Sequence, residues 1–330
     1  MNMFTALVID EVDGKVTQSI KELSEDLLPS GDVTIAASYS TLNYKDGMVL
    51  GGIGRLVRSY PHIPGVDVSG VVRESSDPRF SPGDEVVVGG YRFGEVHWGG
   101  YSELVRVPGD WVVGLPAGLT LFQAMAFGTA GFSAMMAVDA LENHGLMPSE
   151  DEVLVTGAVG GVGSIAVALL SSLGYKVAAS TGRPAEHEYL RLLGAGSIIE
   201  RSELETPASR PLESERWSGC IDNVGGSTLG HVLSQLRRGA SIASVGLAAG
   251  SSFTANVMPF LLRGVNILGI DSVSLEIGKR SAIWQRLADS FPLELLAAMT
   301  HEIQLTDLER YGKEILEGKV KGRLVVNIHD

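Results

Sequence analysis

Cysteine is nearly absent from this chain: Cys220 is the only one in 330 residues. One thiol excludes an internal disulfide and a four-cysteine structural zinc site, and it fits a reducing cytoplasm. Basic residues are scarce as well. Lys and Arg total 26 against 39 Asp and Glu, a net charge of −13, which argues against nucleic acid or an anionic membrane as partner. An anionic ligand therefore needs a local basic pocket, so clustered arginines carry weight. No unbroken run of eighteen apolar residues exists, and the N-terminus lacks the order of a secretory signal, so no bilayer span is expected. Repeats and low-complexity segments are missing too.

Glycine is abundant, and its most informative cluster is Glu152-Val-Leu-Val-Thr-Gly-Ala-Val-Gly-Gly-Val-Gly163. Val153 to Thr156 is a short apolar run stopped by glycine, the pattern of a buried parallel strand. Ser164 to Leu173 then reads as a helix of small and aliphatic residues ended by Gly174. Strand, glycine turn and helix make the opening of a dinucleotide-binding unit, with Gly160, Gly161, Val162 and Gly163 presenting N–H groups and a helix N-terminus to a pyrophosphate. The strict G-x-G-x-x-G spacing is broken at its first position by Ala158.

A second apolar strand, Lys176 to Ala179, ends where the adenosine ribose belongs. An NAD site places Asp or Glu there; this chain has Ser180, Thr181, Gly182 and Arg183. Arginine beside small hydroxyls suits a 2′-phosphate through charge-assisted, bidentate bonding. The predicted cofactor is NADPH. Glu186 and Glu188 argue for NAD, but they lie beyond Pro184 in what reads as the next helix.

The organisation changes along the chain. From about Phe4 to Leu121, short β-like runs such as Ala6–Ile9, Asp32–Ala37, Val66–Val72 and Asp84–Gly89 are punctuated by turns like Ser81-Pro-Gly-Asp84, which predicts an antiparallel barrel-like domain. From about Phe122 onward strands alternate with helices, which predicts a parallel, doubly wound sheet. The closing strand Gly322–Ile328 has no helix after it and is expected to return to the first domain. The fold class is α/β: a barrel-like catalytic domain over 1–123, completed by 301–330, and a Rossmann domain over 124–300.

Leu42-Asn-Tyr-Lys-Asp46, Pro64-Gly-Val-Asp-Val-Ser-Gly70, Pro82-Gly-Asp84, Trp98-Gly-Gly-Tyr101, Gly157 to Gly163 and Gly318 to Arg323 stand in the order found in the medium-chain dehydrogenase/reductase family, which the chain resembles over nearly its full length. The resemblance implies a GroES-like barrel, a Rossmann domain and an active site in the cleft between them. Where zinc alcohol dehydrogenases place their first Cys ligand, this sequence is similar to the zinc-free branch, with Asn43-Tyr44-Lys45-Asp46. His62 and His97 do not complete a ligand set, so no metal is expected.

Ser40 to Asp46, Arg58-x-x-Pro61-x-Ile-Pro64-Gly65, His97 to Gly100, Gly109 to Val112 and Gly182 to Leu190 are similar to the acrylyl-CoA reductase group of that branch. That implies NADPH-dependent reduction of acryloyl-CoA to propionyl-CoA: hydride to the β-carbon, proton to the α-carbon, and an enolate oxygen met by hydrogen-bond donors. Tyr44 is the candidate donor near that oxygen or the nicotinamide, and so also a cofactor-binding candidate; Asn43 positions it, and Asp46 orients Tyr44 or Lys45 or caps the helix. Asp67 more readily holds its loop together. The cofactor list extends by resemblance to Arg201, Leu247, Ile270 and Ser272. Arg55, Arg58 and Arg92 are candidates for the CoA phosphates, and His97 for the proton. Tyr91-Arg92-Phe93 departs from the group in being more basic and aromatic. A quinone reductase of the same fold and a non-enzymatic nucleotide-binding protein are the alternatives. The apolar edge strand Val265–Ile270 predicts a homodimer.

Overall fold

The computed structural model describes residues 2–329. Two compact units emerge: residues through Ala130 with Ser272–Ala288 and the stretch from Leu296 form one, and Gly131–Asp271 with Asp289–Leu295 form the other. The sequence pattern places 272–288 in the second domain, whereas the structure joins it to the first unit. Its allegiance is set by particular bonds. The Tyr91 N–H donates to the Val273 carbonyl at 2.8 Å and the Tyr91 hydroxyl to the Leu275 carbonyl at 2.9 Å. Neither bond leaves a trace in residue periodicity.

In the first unit, β1 (Met3–Val12) and β2 (Lys15–Ser24) form an antiparallel hairpin. Asp13 and Gly14 turn it with φ of 52° and 73°, the positive pair that matches strand twist in a two-residue loop. The larger sheet is built on β3 (Val33–Leu42), β4 (Asp67–Ser75), β5 (Glu85–Gly89), β6 (Leu104–Val107) and β7 (Val112–Gly114), paired antiparallel as β6-β3-β4-β5-β7. Val33, Ile35 and Ala37 alternate along β3 and are buried with Val68, Val86, Val88 and Val105. That period-two pattern is what a sheet covering a core requires.

One helix stays within this unit and a second leaves it. α1 (Tyr44–Leu50) follows β3 directly, and α2 (Leu121–Asn143) runs from the first unit into the second. α2 is long and apolar enough to cross a bilayer, yet most of it is buried inside the protein. It is broken at Gly128, whose φ of 50° and ψ of −156° are not helical.

The second unit is a six-stranded parallel sheet. Its strands are β8 (Glu152–Val155), β9 (Lys176–Thr181), β10 (Ser197–Glu200), β11 (Trp217–Asp222), β12 (Ser241–Ser244) and β13 (Asn266–Gly269), in the order β10-β9-β8-β11-β12-β13. The direction of winding reverses between β8 and β11, and open α/β sheets bind ligands at the carboxyl ends flanking that reversal. α3 (Gly161–Ser172) follows β8. After β13 the chain re-enters the first unit at Ser272. β14 (Thr300–Gln304) runs parallel to β15 (Arg323–Asn327), and β15 pairs antiparallel with β3. The last strand returns as its lack of a following helix predicted.

Candidate functional site

The turn after β8 is shaped by backbone rather than side chains. Gly157 has φ of 57°, a left-handed conformation that a β-carbon opposes. Ala158 is fully buried, with its N–H donating to the Ser180 carbonyl at 3.1 Å. The broken fingerprint thus has a physical account: the residue that needs glycine's freedom is 157, and Ala158 sits one step beyond it in ordinary geometry. Gly160 caps α3 in extended conformation. A β-carbon on Gly163 would collide with the Gly157 carbonyl oxygen and lie 2.7 Å from the Ala158 α-carbon, so helix and turn approach as closely as they do only with glycine there. Ser164 locks the geometry by donating to the Val159 carbonyl at 3.1 Å.

Neighbouring strands supply the rest of this end of the sheet. At the close of β11, the Asp222 carboxylate accepts from the Thr156 hydroxyl at 2.6 Å and the Gly225 N–H at 2.9 Å. Burial holds its pKa above the usual value against these donors. Asn223 donates its side-chain amide to the Thr156 carbonyl at 2.8 Å, tying the β11 loop to the β8 turn. The backbone of Leu247 lies beside Gly225, and the Ile270 N–H donates to the Ser244 carbonyl at 3.1 Å. The sequence reading missed Thr156, Asp222 and Asn223. The signal was present in Asp222-Asn-Val-Gly-Gly226, an acidic strand end running into a glycine pair.

At the end of β9, Ser180 and Thr181 are buried and Arg183 is half-buried. The Arg183 N–H donates to the Thr181 hydroxyl at 3.1 Å. The structure brings Arg201 to the same place: a β-carbon on Gly182 would lie 2.8 Å from its Nε. Arg201 is also ion-paired with Glu205 at 2.6 Å. Two guanidinium groups beside hydroxyls and a glycine fit a phosphorylated ribose.

In the first unit, Asn43, Asp46 and Asp67 meet in a buried network. Asn43 caps α1, and Asp46 reaches back to accept from the Asn43 N–H at 2.8 Å and from the Val66 N–H at 3.0 Å. The Asn43 amide donates to Thr41 Oγ1 at 2.7 Å and to Asp67 at 2.9 Å, while its oxygen accepts from Arg323 at 3.2 Å. Asp67 also accepts from the Thr41 hydroxyl at 2.6 Å, the Thr129 hydroxyl at 2.6 Å and the Thr129 N–H at 2.9 Å. The Arg323 Nε donates to the Ala126 carbonyl at 3.0 Å. A β-carbon on Gly128 would lie 2.8 Å from Asp67 and 3.0 Å from Arg323, which explains glycine at the break in α2.

Charge follows burial here. Desolvation pushes the Asp46 carboxyl up to about 7 against the N–H donors around it. Burial also works against the Arg323 charge, with Asp67 and Asp46 opposing that shift. Tyr44, by contrast, is 40% exposed at the first position of α1. The network orients the helix on which Tyr44 stands.

The remaining candidates are dispersed. Arg55 and Arg58 are exposed, with no side-chain hydrogen-bond or ion-pair partner among the described residues. Arg92 pairs with Glu95 at 3.4 Å. His97 is engaged: its Nε2 contacts the Arg106 carbonyl at 2.7 Å and its ring meets Trp111 edge-on. Burial lowers its pKa. The Ser272 carbonyl accepts from Arg280 at 2.8 Å.

The donors present do not fit a zinc ion. His62 Nε2 is bonded to the Gly94 carbonyl, and Cys220 is buried within β11 with its thiol pKa pushed up. No three His, Cys, Asp or Glu side chains converge among the described residues.

Comparison with known proteins gives concordant matches. Residues 161–289 match the zinc-binding dehydrogenase family model, and 29–117 the alcohol dehydrogenase GroES-like domain. Acrylyl-CoA reductase AcuI of Ruegeria pomeroyi is 55% identical, covering 99% of this chain and all of that one. The crystal structure of the yhdH oxidoreductase of Salmonella enterica in complex with NADP matches with a TM-score of 0.96 at 47% identity, covering 98% of this chain and 100% of the other. The Bacillus subtilis protein YhfP, named a putative quinone oxidoreductase, is 43% identical over 99% of each chain. Its structure with NAD bound matches with a TM-score of 0.95, covering 99% of this chain and 100% of that one.

Proposed function

The chain belongs to the medium-chain dehydrogenase/reductase family, and on that premise we propose that it reduces the activated double bond of acryloyl-CoA to give propionyl-CoA, with NADPH. The observation that carries this reading is the end-to-end 55% identity with an acrylyl-CoA reductase. Gly160, Gly161, Val162 and Gly163 hold the pyrophosphate at the N-terminus of α3. Ser180, Thr181, Gly182, Arg183 and Arg201 hold the phosphorylated ribose, and Leu247, Ile270 and Ser272 serve the nicotinamide half. Bound NADPH would supply the hydride for the β-carbon and leave as NADP+, while the α-carbon takes its proton from solvent. The Tyr44 hydroxyl donates to the thioester oxygen, where negative charge develops. Asn43 and Asp46 position Tyr44 through the first turn of α1. Arg92 meets the phosphate charges of CoA, with the exposed Arg55 and Arg58 as the alternative positions for them, and His97 lies on the same unit.

Following NADPH oxidation over acryloyl-, crotonyl- and methacrylyl-CoA and a naphthoquinone tests the reading. Highest turnover on acryloyl-CoA is the expected result. Turnover of the quinone alone would replace it with the second reading, a quinone reductase, which the name of YhfP favours.

Assembly as a homodimer belongs to the same proposal. β13 lies at the edge of the parallel sheet, and the preceding helix Met258–Arg263 exposes Leu261 and Leu262 at 74% and 48%. An unpaired apolar edge favours pairing about a two-fold axis. Light scattering that returned the 34.9 kDa of one chain at micromolar concentration would remove the dimer.

A further inference from the structure

Lys45, the residue after Tyr44, shares a buried carboxylate with a second cation. Glu95 is only 5% exposed, yet it takes Lys45 Nζ at 2.9 Å and Arg92 Nε at 3.4 Å. The two cationic side chains each remain 38% exposed. A buried carboxylate needs one partner to offset its desolvation. Two partners leave net positive charge at the surface of a protein whose overall charge is −13.

The second observation is backbone strain. Tyr91 and Arg92 are consecutive non-glycine residues with φ of 50° and 59°. Such conformations persist where the surroundings over-determine them, and they cluster at ligand clamps. Here the surroundings do so. Tyr91 is fixed through its N–H and hydroxyl to Val273 and Leu275. Its ring stacks on Trp111 at 5.6 Å and 6°, and the buried Arg280 guanidinium lies 4.8 Å from its centroid. The N–H groups of Glu95 and Val96 both donate to the Arg92 carbonyl at 3.1 Å. The turn that aims Arg92 toward Glu95 is held from every side.

We propose that Lys45 and Arg92, kept at one spacing by Glu95, form a phosphate-binding pair for the CoA portion of the substrate. Lys45 and Arg92 touch the substrate, and Glu95 is a positioning residue. This rests on the reading of the protein as a CoA-thioester reductase. It separates the recognition of CoA from the chemistry at the double bond: one end of the first turn of α1 carries Tyr44, and the next residue carries the phosphate contact.

The experiment compares kcat/KM for acryloyl-CoA with that for acryloyl-N-acetylcysteamine, a thioester without phosphates. Wild type prefers the CoA ester, and added salt reduces the preference. Lys45→Met and Arg92→Gly, the latter also suited to the left-handed turn, each lower the preference about tenfold through KM for acryloyl-CoA. Glu95→Gln leaves both cations in place but unanchored, so the preference falls about threefold while its salt dependence persists. Variants that lose activity equally on both esters would overturn the pair as a phosphate site, since a merely structural role acts on both. Full retention of the preference in Lys45→Met and Arg92→Gly, with loss in Arg55→Met or Arg58→Met, would place the phosphates elsewhere. A wild type that turns over both esters equally overturns the pair and leaves the reductase reading standing. A wild type that turns over neither ester removes both.

Discussion

The turn after β8 and the network around Asp67 solve the same problem, holding chain segments at fixed separation, with opposite materials. The turn is made of backbone: Gly157 supplies a left-handed residue, and Gly163 supplies the missing β-carbon that lets α3 close onto the turn. The network is made of side chains that come from β3, α1, β4, α2 and β15, and all of its members but the half-buried Thr129 are buried. A backbone device is local, so it tolerates changes in identity but not in size. A buried polar device is global, and removing one member leaves charges and donors stranded.

The largest expected effect comes from breaking the network. Asp67→Ala strands the buried Arg323 charge and removes the acceptor of Thr41, Asn43 and Thr129. Leaving a buried donor without its acceptor costs about 1–3 kcal/mol, and more beside a buried charge. Chemical denaturation should show that loss, and the restoring double variant Asp67→Asn with Arg323→Met should recover part of it. A loss below about 1 kcal/mol, the range of exposed pairs, would mean that the network is not what holds α1 and the break in α2.

Gly163→Val breaks the turn instead. Its side chain meets backbone atoms of Gly157 and Ala158, which cannot rotate away. Overpacking of this kind costs about 1–3 kcal/mol. NADPH affinity should fall with it, because the helix N-terminus is displaced from the turn. Retained affinity, measured by nucleotide titration, would separate α3 from the phosphate site.

A subtler contrast concerns pH. Asp46 has its carboxyl raised from 3.8 to about 7, chiefly by burial. A carboxyl with a raised folded-state pKa adds stability below its unfolded pKa, and that contribution is lost as pH rises toward the folded value. Asp46→Asn disturbs the cap at every pH but removes the ionisation. Its stability deficit relative to wild type should therefore shrink as pH rises from about 4 to about 7. A deficit that grows over that range would show that Asp46 is stabilised as the ionised form.

The smallest effect is the most pointed. Ala158→Gly restores the strict glycine spacing, yet NADPH affinity should not improve, because the left-handed residue is Gly157. The added chain freedom should cost about 0.4–1 kcal/mol of stability. A tighter complex would mean that the turn needs freedom at 158 after all.

These differences also explain what was legible in the sequence. The turn could be read directly because its parts are contiguous and its glycines have a geometric purpose. The strand pattern of the sheet and the return of β15 followed from period and from the missing last helix. Asp67 was read as a loop holder, but its partners span residues 41 to 323 and only folding brings them together. The placement of 272–288 has the same origin, since two hydrogen bonds from Tyr91 and the Arg280 guanidinium over its ring bring it to the first unit. Lys45 and Glu95 escaped notice because a buried Glu looks like any surface acid until its exposure is known.

A backbone-built turn that binds the dinucleotide, with arginines after β9 that choose its phosphorylated form, makes a single test decisive. The most direct measurement is titration of wild type and Arg183→Ala with NADPH and with NADH. Loss of a charge-assisted contact of roughly 1.5–3 kcal/mol predicts NADPH weakened by about one to two orders of magnitude, with NADH nearly unchanged. Equal weakening of both nucleotides would contradict the account and make Arg183 a residue of the fold.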